Sequence, residues 1–272
     1  MSKDVRLFLS DLDGTILTTE KKIMPGTMTA LRNFVDCGGH FAICTGRDIN
    51  SALKVYYDLE LNLKGSYVVA YNGGQIYDVD NNKTIFREGI EKSLALDIFK
   101  LAKEYGIHVH TYNDDFILSV AYNECMDFYR RVIKTPLIVA DDISDFINVP
   151  PCKIICIELH DHEKQERFKE IVEERFGDAL DLMYSNDYYL ELIPKGSGKG
   201  SALIRLRELL GIDRKCTMAA GDGENDMSMI EAAGLGVAMI NAPENVKAVA
   251  DVVTSQDNDH DGLKPIIEDF TK

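Results

Sequence analysis

Four short apolar runs in this chain each stop at a cluster of small, polar and acidic residues, and that repetition limits the folds open to it. The clusters are Asp11-Leu12-Asp13-Gly14-Thr15, Thr45-Gly46-Arg47, Asn72-Gly73-Gly74 and Gly221-Asp222-Gly223-Glu224-Asn225-Asp226. The runs before them are Val5 to Leu9, Phe41 to Cys44, Tyr67 to Ala70 and Thr217 to Ala220; Gly236 to Met239 and Val252 to Thr254 have the same texture. Helical patterns fall between. Pro25 suits a first helical turn, Leu31, Phe34 and Val35 share a face, and Gly38 terminates it. Leu203, Leu206 and Leu210 before Gly211, and Met227, Ile230 and Ala233 before Gly234, repeat the scheme. Buried strands alternating with helices predict an α/β fold with a parallel sheet.

From about Arg87 to Tyr189 the texture changes. Helical stretches, Leu94 to Tyr105 before Gly106 and Phe168 to Phe176 before Gly177, sit among alternating strands at Ile107 to Thr111, Lys153 to Leu159 and Tyr188 to Ile193. Alternation predicts strands with one wet face. A second α+β module inserted into the first is expected, because strands of the parallel type resume after Lys199.

In an open α/β sheet the carboxyl ends of the strands share one edge, and ligands bind in the crevice there. Taken singly, Asp13-Gly14 reads as a turn, Thr45-Gly46 as a helix cap and Asn72-Gly73 as a hairpin turn. Taken together at successive strand ends, they converge. Carboxylates from the first and fourth runs would then meet, which is unfavourable without a cation. An all-oxygen set without His or Cys favours magnesium over zinc. Thr45, Lys199 and the backbone N–H groups of Gly-containing loops suit a phosphate beside that metal.

Composition narrows the partners. The 272 residues include 45 acidic and 30 basic ones, a net charge of −15, which is the wrong sign for tracking a nucleic acid backbone. No apolar run approaches the roughly 20 residues of a membrane span. Arg6 interrupts the first apolar run, so a signal peptide is not expected. Six scattered cysteines without a Cys-x-x-Cys pair read as free thiols in a reducing cytoplasm, with neither disulfides nor zinc.

Four weaker patterns have plain readings. Asp257-x-Asp259-x-Asp261-Gly262 with Glu268 fits a calcium loop, but a β-type run precedes it and Pro265 interrupts it, so an acidic loop before a terminal helix is expected. Gly196-Ser197-Gly198-Lys199 is no P-loop, because Ile193 and Gly200 occupy positions that motif reserves. His108-x-His110 and His160-x-His162 lack a third ligand and read as solvated edge histidines. Tyr112-Asn113-Asp114-Asp115 and Tyr184 to Tyr189 read as polar, aromatic turns, equally of the kind that contacts substrates and of the kind any surface turn shows, with no catalytic role.

With these motifs in hand, the chain resembles the haloacid dehalogenase-like phosphatases, and among them the Cof-type group with a large inserted α/β cap. Phe8 to Thr15, Thr45-Gly46-Arg47, Lys199 to Leu203 and Gly221 to Met227 are similar to that family's four motifs, and Gly236 to Ala242 to a further segment. Ile240 departs from the glycine usual in that segment, Cys44 from alanine, and Ser197-Gly198 from an apolar and Ser pair. The resemblance implies a Rossmann-like core over residues 1–86 and 190–272, with an α+β cap over 87–189. It implies Asp11 as nucleophile, Asp13 as acid and base, and Lys199 as a further catalytic group. Mg²⁺ would be held by Asp11, the Asp13 carbonyl and Asp222, with Asp226 and Glu224 around it. Phosphate would be held by Leu12 and Gly46 through backbone N–H groups, and by Thr45, Arg47, Asn72, Lys199 and Asn225. The expected activity is Mg²⁺-dependent hydrolysis of small phosphorylated metabolites, sugar phosphates foremost, through an aspartyl-phosphate. The expected partner is thus a small phosphate ester, with no nucleic acid or membrane, and the protein itself is expected to be a monomer or weak oligomer. The alternatives are a phosphomutase using the same nucleophile and, further off, a calcium-binding module at residues 257–268.

Overall fold

A computed structural model describes residues 4–270. The chain opens with β1 (Leu7–Ser10), α1 (Pro25–Asp36), β2 (His40–Cys44), α2 (Ile49–Asp58) and β3 (Ser66–Ala70), then the strands β4 (Gln75–Asp78) and β5 (Lys83–Arg87). There follow α3 (Lys92–Tyr105), β6 (His108–Tyr112), β7 (Ile117–Ser119), α4 (Glu124–Tyr129), β8 (Leu137–Val139), β9 (Ile154–Ile157), α5 (His162–Phe176), β10 (Leu180–Asn186) and β11 (Tyr189–Pro194). The last stretch holds α6 (Lys199–Leu209), β12 (Thr217–Gly221), α7 (Met227–Ala232), β13 (Leu235–Ala238), α8 (Glu244–Ala248), β14 (Val252–Val253) and α9 (Leu263–Phe270).

These elements form two compact units, one up to Phe86 and again from Gly198, the other Arg87–Ser197. The return to the first unit comes at Gly198 rather than at residue 190, because β11 pairs with β9 and β10 and so completes the inserted sheet.

The core sheet runs β14-β13-β12-β1-β2-β3-β4-β5, parallel from β14 through β3, with β4 turned back against β3. Every residue of β1, β3 and β12 is buried, as a strand covered on both faces requires. Leu7, Leu9, Ala42 and Val69 pack with Leu203, Leu206 and Met229 of α6 and α7. The chain moves outward from β1 through β2 and β3, then restarts on the other side of β1 at β12. The crevice between β1 and β12 is therefore the topological switch point, where open α/β sheets take their ligands.

The inserted sheet runs β10-β11-β9-β6-β7-β8. Ile98, Phe99, Phe168 and Val172 of α3 and α5 cover one face, against Val109, Cys156, Leu190 and Leu192. The opposite face is not the wet one that alternation predicts. Every residue of β6 is buried, on this face as well as the other, and His110 is 0% exposed beneath the Tyr129 ring of α4, at a centroid distance of 4.4 Å. Both ring nitrogens of His110 and Nε2 of His108 lack a hydrogen-bond partner. These two histidines are interior residues, whereas His160 and His162 are exposed as expected.

Burial lowers both imidazoles, His108 to about 4 from an ordinary 6.5, with Lys153 adding to the effect at His110. The folded state thus binds protons later than the unfolded chain. The stability this contributes is present above pH 6.5 and is lost as pH falls from there toward 4. His108 is expected to cost the insert about 1.4 kcal/mol per pH unit across that window, and His110 shifts in the same direction. Amide hydrogen exchange of β6 and β9, corrected for intrinsic rate, should quicken between neutral pH and about pH 5. Unchanged protection over that interval would contradict the burial of a neutral pair.

Candidate active site

Asp11 follows β1 and Asp222 follows β12, so the sheet order alone brings them to one crevice. Asp226 enters from the turn before α7. Carboxylate oxygens of Asp11, Asp222 and Asp226 lie within 4.8 Å of one another. Lys199, in the first turn of α6 with a fully buried side chain, reaches between them; its Nζ donates to Asp11 and, at 2.6 Å, to Asp226 Oδ1. The other Asp226 oxygen accepts from the backbone N–H groups of Asp222 at 3.0 Å and Gly223 at 2.9 Å, which fixes the loop after β12. Thr15 Oγ1 donates to Asp222 Oδ1 at 2.7 Å. Gly14 has φ +84°, and a Cβ there would stand 2.3 Å from Asp222 Oδ2, so the loop after β1 packs edge-on against that carboxylate only because the residue is glycine.

Three carboxylates face one ammonium, and the electrostatics register the shortfall. Burial, aided by Asp226 and Asp222, pushes the Asp11 carboxyl up to about 7 despite the attraction of Lys199. Asp222 is raised for the same reasons, burial first. Burial works against the charged form of Lys199, but Asp11 and Asp226 outweigh it and hold the ammonium above its ordinary value. An all-oxygen set with surplus negative charge fits a hard divalent cation.

Asp13 faces elsewhere. Its Oδ1 accepts from Lys21 Nζ at 2.7 Å and its Oδ2 from Arg47 Nη2 at 2.8 Å. Partial burial pushes this carboxyl up, but the two cations outweigh it and hold it below the ordinary carboxylate range. The Asp13 carboxylate is therefore not part of the acidic triad, and a contribution to a metal is left to its backbone carbonyl.

The remaining residues gather around this centre. Thr45 is buried at the end of β2 and accepts from the Arg47 N–H at 3.3 Å. Asn72 sits in the turn from β3 to β4 with φ 55°, and its Oδ1 accepts from Asn225 Nδ2 at 3.3 Å. A Cβ on Gly46 would lie 3.1 Å from that same Oδ1. The hairpin turn and the site residue are thus the same feature. Leu12 buries its side chain completely and has only its backbone to offer. Glu224 is exposed, accepts from Asn245, and stands outside the triad.

Motif reading missed Lys21 as the partner of Asp13. It sits in a turn with φ 61°, tied by the Lys21 N–H to the Thr18 carbonyl, and nothing in Glu20-Lys21-Lys22 marks which lysine reaches Asp13. The acidic loop before α9 spends its carboxylates inside the core unit: Asp259 accepts from the N–H and hydroxyl of Thr19, and Asp261 from those of Thr27. In the insert, Tyr112 is buried with its hydroxyl on that of Tyr129, and Asn113 closes its own turn by accepting from Asp115 and Phe116. Neither is a surface contact residue. Tyr188 is exposed.

A family model of haloacid dehalogenase-like hydrolases matches residues 8–267. A protein of Streptococcus pyogenes serotype M6, provisionally named a phosphatase, is 30% identical over 257 residues, covering 94% of each chain. The 5-amino-6-(5-phospho-D-ribitylamino)uracil phosphatase of Bacillus subtilis is 29% identical over 282 residues, covering 95% of each. A crystal structure from Thermotoga maritima superposes with a TM-score of 0.85 at 31% identity, over 97% of each chain. The chain belongs to the haloacid dehalogenase-like hydrolases. Within that family it is an enzyme of the phosphatase class.

Proposed function

We propose that the protein is a magnesium-dependent phosphatase of small phosphorylated metabolites, with sugar phosphates the leading class, working through a phosphoryl group carried on Asp11. The observation that carries this reading is the meeting of Asp11, Asp222, Asp226 and Lys199 at the switch point between β1 and β12. A relative named for a phosphorylated ribityl compound supports the substrate class.

In this reading an Asp11 oxygen attacks phosphorus, and the bond to the ester oxygen breaks. Lys199 holds Asp11 in place and offsets charge that would repel a phosphate dianion. Thr45, Arg47, Asn72 and Asn225, with the N–H groups of Leu12 and Gly46, hold the transferring oxygens. Asp13 gives a proton to the departing alkoxide, then takes one from the water that attacks the phosphoryl group and frees Asp11. Bound by Lys21 and Arg47, Asp13 is held ionised, so proton donation requires it to leave those partners and first take up a proton from solvent. Asp11, the Asp13 carbonyl, Asp222 and Asp226 would hold Mg²⁺, which when bound would supply the positive charge that lets a carboxylate approach a phosphate. The inserted unit, residues 87–197, would read the part of the substrate beyond its phosphate. Among the described residues no helix is long and apolar enough to cross a membrane, and all six cysteines are free, which supports placing this activity in the cytoplasm.

A panel of phosphorylated metabolites, read by released inorganic phosphate, tests the reaction and its substrate together. Phosphate release should need Mg²⁺, fall at least about a hundredfold under a strong chelator, and be inhibited by excess Ca²⁺, which accepts looser geometry and more oxygens. Full activity under chelation would remove the metal from the reading. Transfer to a sugar acceptor without free phosphate would make the enzyme a mutase.

A further inference from the structure

One short segment touches both carboxylate-bearing loops. Asn241, after β13, donates its Nδ2 to the Gly14 carbonyl oxygen at 2.9 Å. Four residues on, Asn245 Nδ2 donates to Glu224 Oε1 at 2.8 Å. The first bond grips the loop that carries Asp11 and Asp13, the second the loop that carries Asp222 and Asp226. The segment is itself fixed to the sheet. The Met239 N–H donates to the Gly221 carbonyl at 3.0 Å, and the Ile240 N–H to Thr254 Oγ1 at 2.9 Å, with Thr254 buried.

The Gly14 peptide is the critical contact. It abuts the Asp222 carboxylate, and its neighbour Thr15 donates to the same group. A grip on the Gly14 carbonyl therefore sets how the first loop meets Asp222 and how far apart Asp11 and Asp222 stand. A cation bound by carboxylates from separate loops is sensitive to that spacing, and groups that orient ligands weigh heavily in metal affinity.

We propose that Asn241 is a positioning residue for the acidic triad, and that residues 239–245 brace the loops after β1 and β12 at the separation a divalent cation requires. The proposal rests on the magnesium reading above. It extends it to a residue that holds no metal and, at its exposed position, forms no part of the triad.

The test is the Mg²⁺ dependence of thermal stability in the full chain, which reads metal binding apart from turnover. Asn241→Leu keeps the approximate size and removes the donor; Asn241→Gln keeps a donor amide. The Mg²⁺ concentration for half-maximal stabilisation should rise about tenfold in Asn241→Leu, and recover in part in Asn241→Gln. With metal saturating, KM should hold while kcat falls. Asn245→Ala, which loosens only the Glu224 side, serves should Asn241→Leu fail to fold, and should show a smaller rise of the same kind. Metal curves within about twofold of wild type in these variants would overturn the brace, as would Gln behaving no better than Leu. A wild type that Mg²⁺ does not stabilise would instead overturn the magnesium reading itself, and the brace with it.

Discussion

Asp11→Asn should lose at least about a thousandfold in kcat, equivalent to roughly 4 kcal/mol, because an amide keeps the size and the Lys199 contact but is a far poorer nucleophile. The same change should leave the metal-free protein as stable as wild type or more so at pH 7.5. Burial raises the Asp11 carboxyl to about 7 from 3.8, so holding it ionised at higher pH costs folding free energy that the neutral amide does not. Activity and melting temperature should therefore move in opposite directions. A variant that turned over near the wild-type rate would end the covalent reading, and one that melted far lower would show that Asp11 is needed for the fold.

Lys199→Met should fail on both counts. The ammonium is the buried counter-charge of Asp11 and Asp226, and removing one partner of a buried ion pair typically costs about 3–5 kcal/mol. Turnover should drop by about 10²–10³-fold as transition-state charge loses its nearest fixed donor. The stability loss should depend on pH with a definite sign. Burial already raises the Asp11 carboxyl above its unfolded value, and without Lys199 the attraction that opposes this is gone, so its penalty is largest near neutrality. It fades as pH falls toward 4 and Asp11 takes up a proton. Thermal melts of the metal-free variant at pH 7.5 and pH 5 check this; a deficit that grew on acidification would contradict the charge assignment.

Much of the core was legible because its strands are buried on both faces and end in residues that serve no packing purpose. Asp11, Asp222 and Asp226 could be placed at one edge from strand order, and Lys199 follows as a basic group at the start of a helix on that edge. Strands β4 and β5 escaped, since Gln75–Asp78 and Lys83–Arg87 are short and rich in polar residues, and the first of them is held by its sheet neighbours β3 and β5. In the insert, alternation identified strands but misjudged their environment. His108 and His110 read as solvated edge residues, yet both are buried, His110 beneath Tyr129 of α4, and a six-residue helix from Glu124–Tyr129 leaves almost no periodic signal. The ion pairs of Asp13 were hidden for a related reason: Lys21 and Arg47 come from two separate loops, and only the fold shows that they converge.

The role given to Asp11 has a direct chemical signature. During turnover of an accepted phosphate ester, rapid acid quenching followed by borohydride reduction should convert the phosphorylated side chain to homoserine. Peptide mass spectrometry should find that residue at position 11, and find nothing there in Asp11→Asn or without substrate. Modification at another carboxylate, or phosphate release in a single turnover with no covalent protein phosphate at any time, would contradict the account.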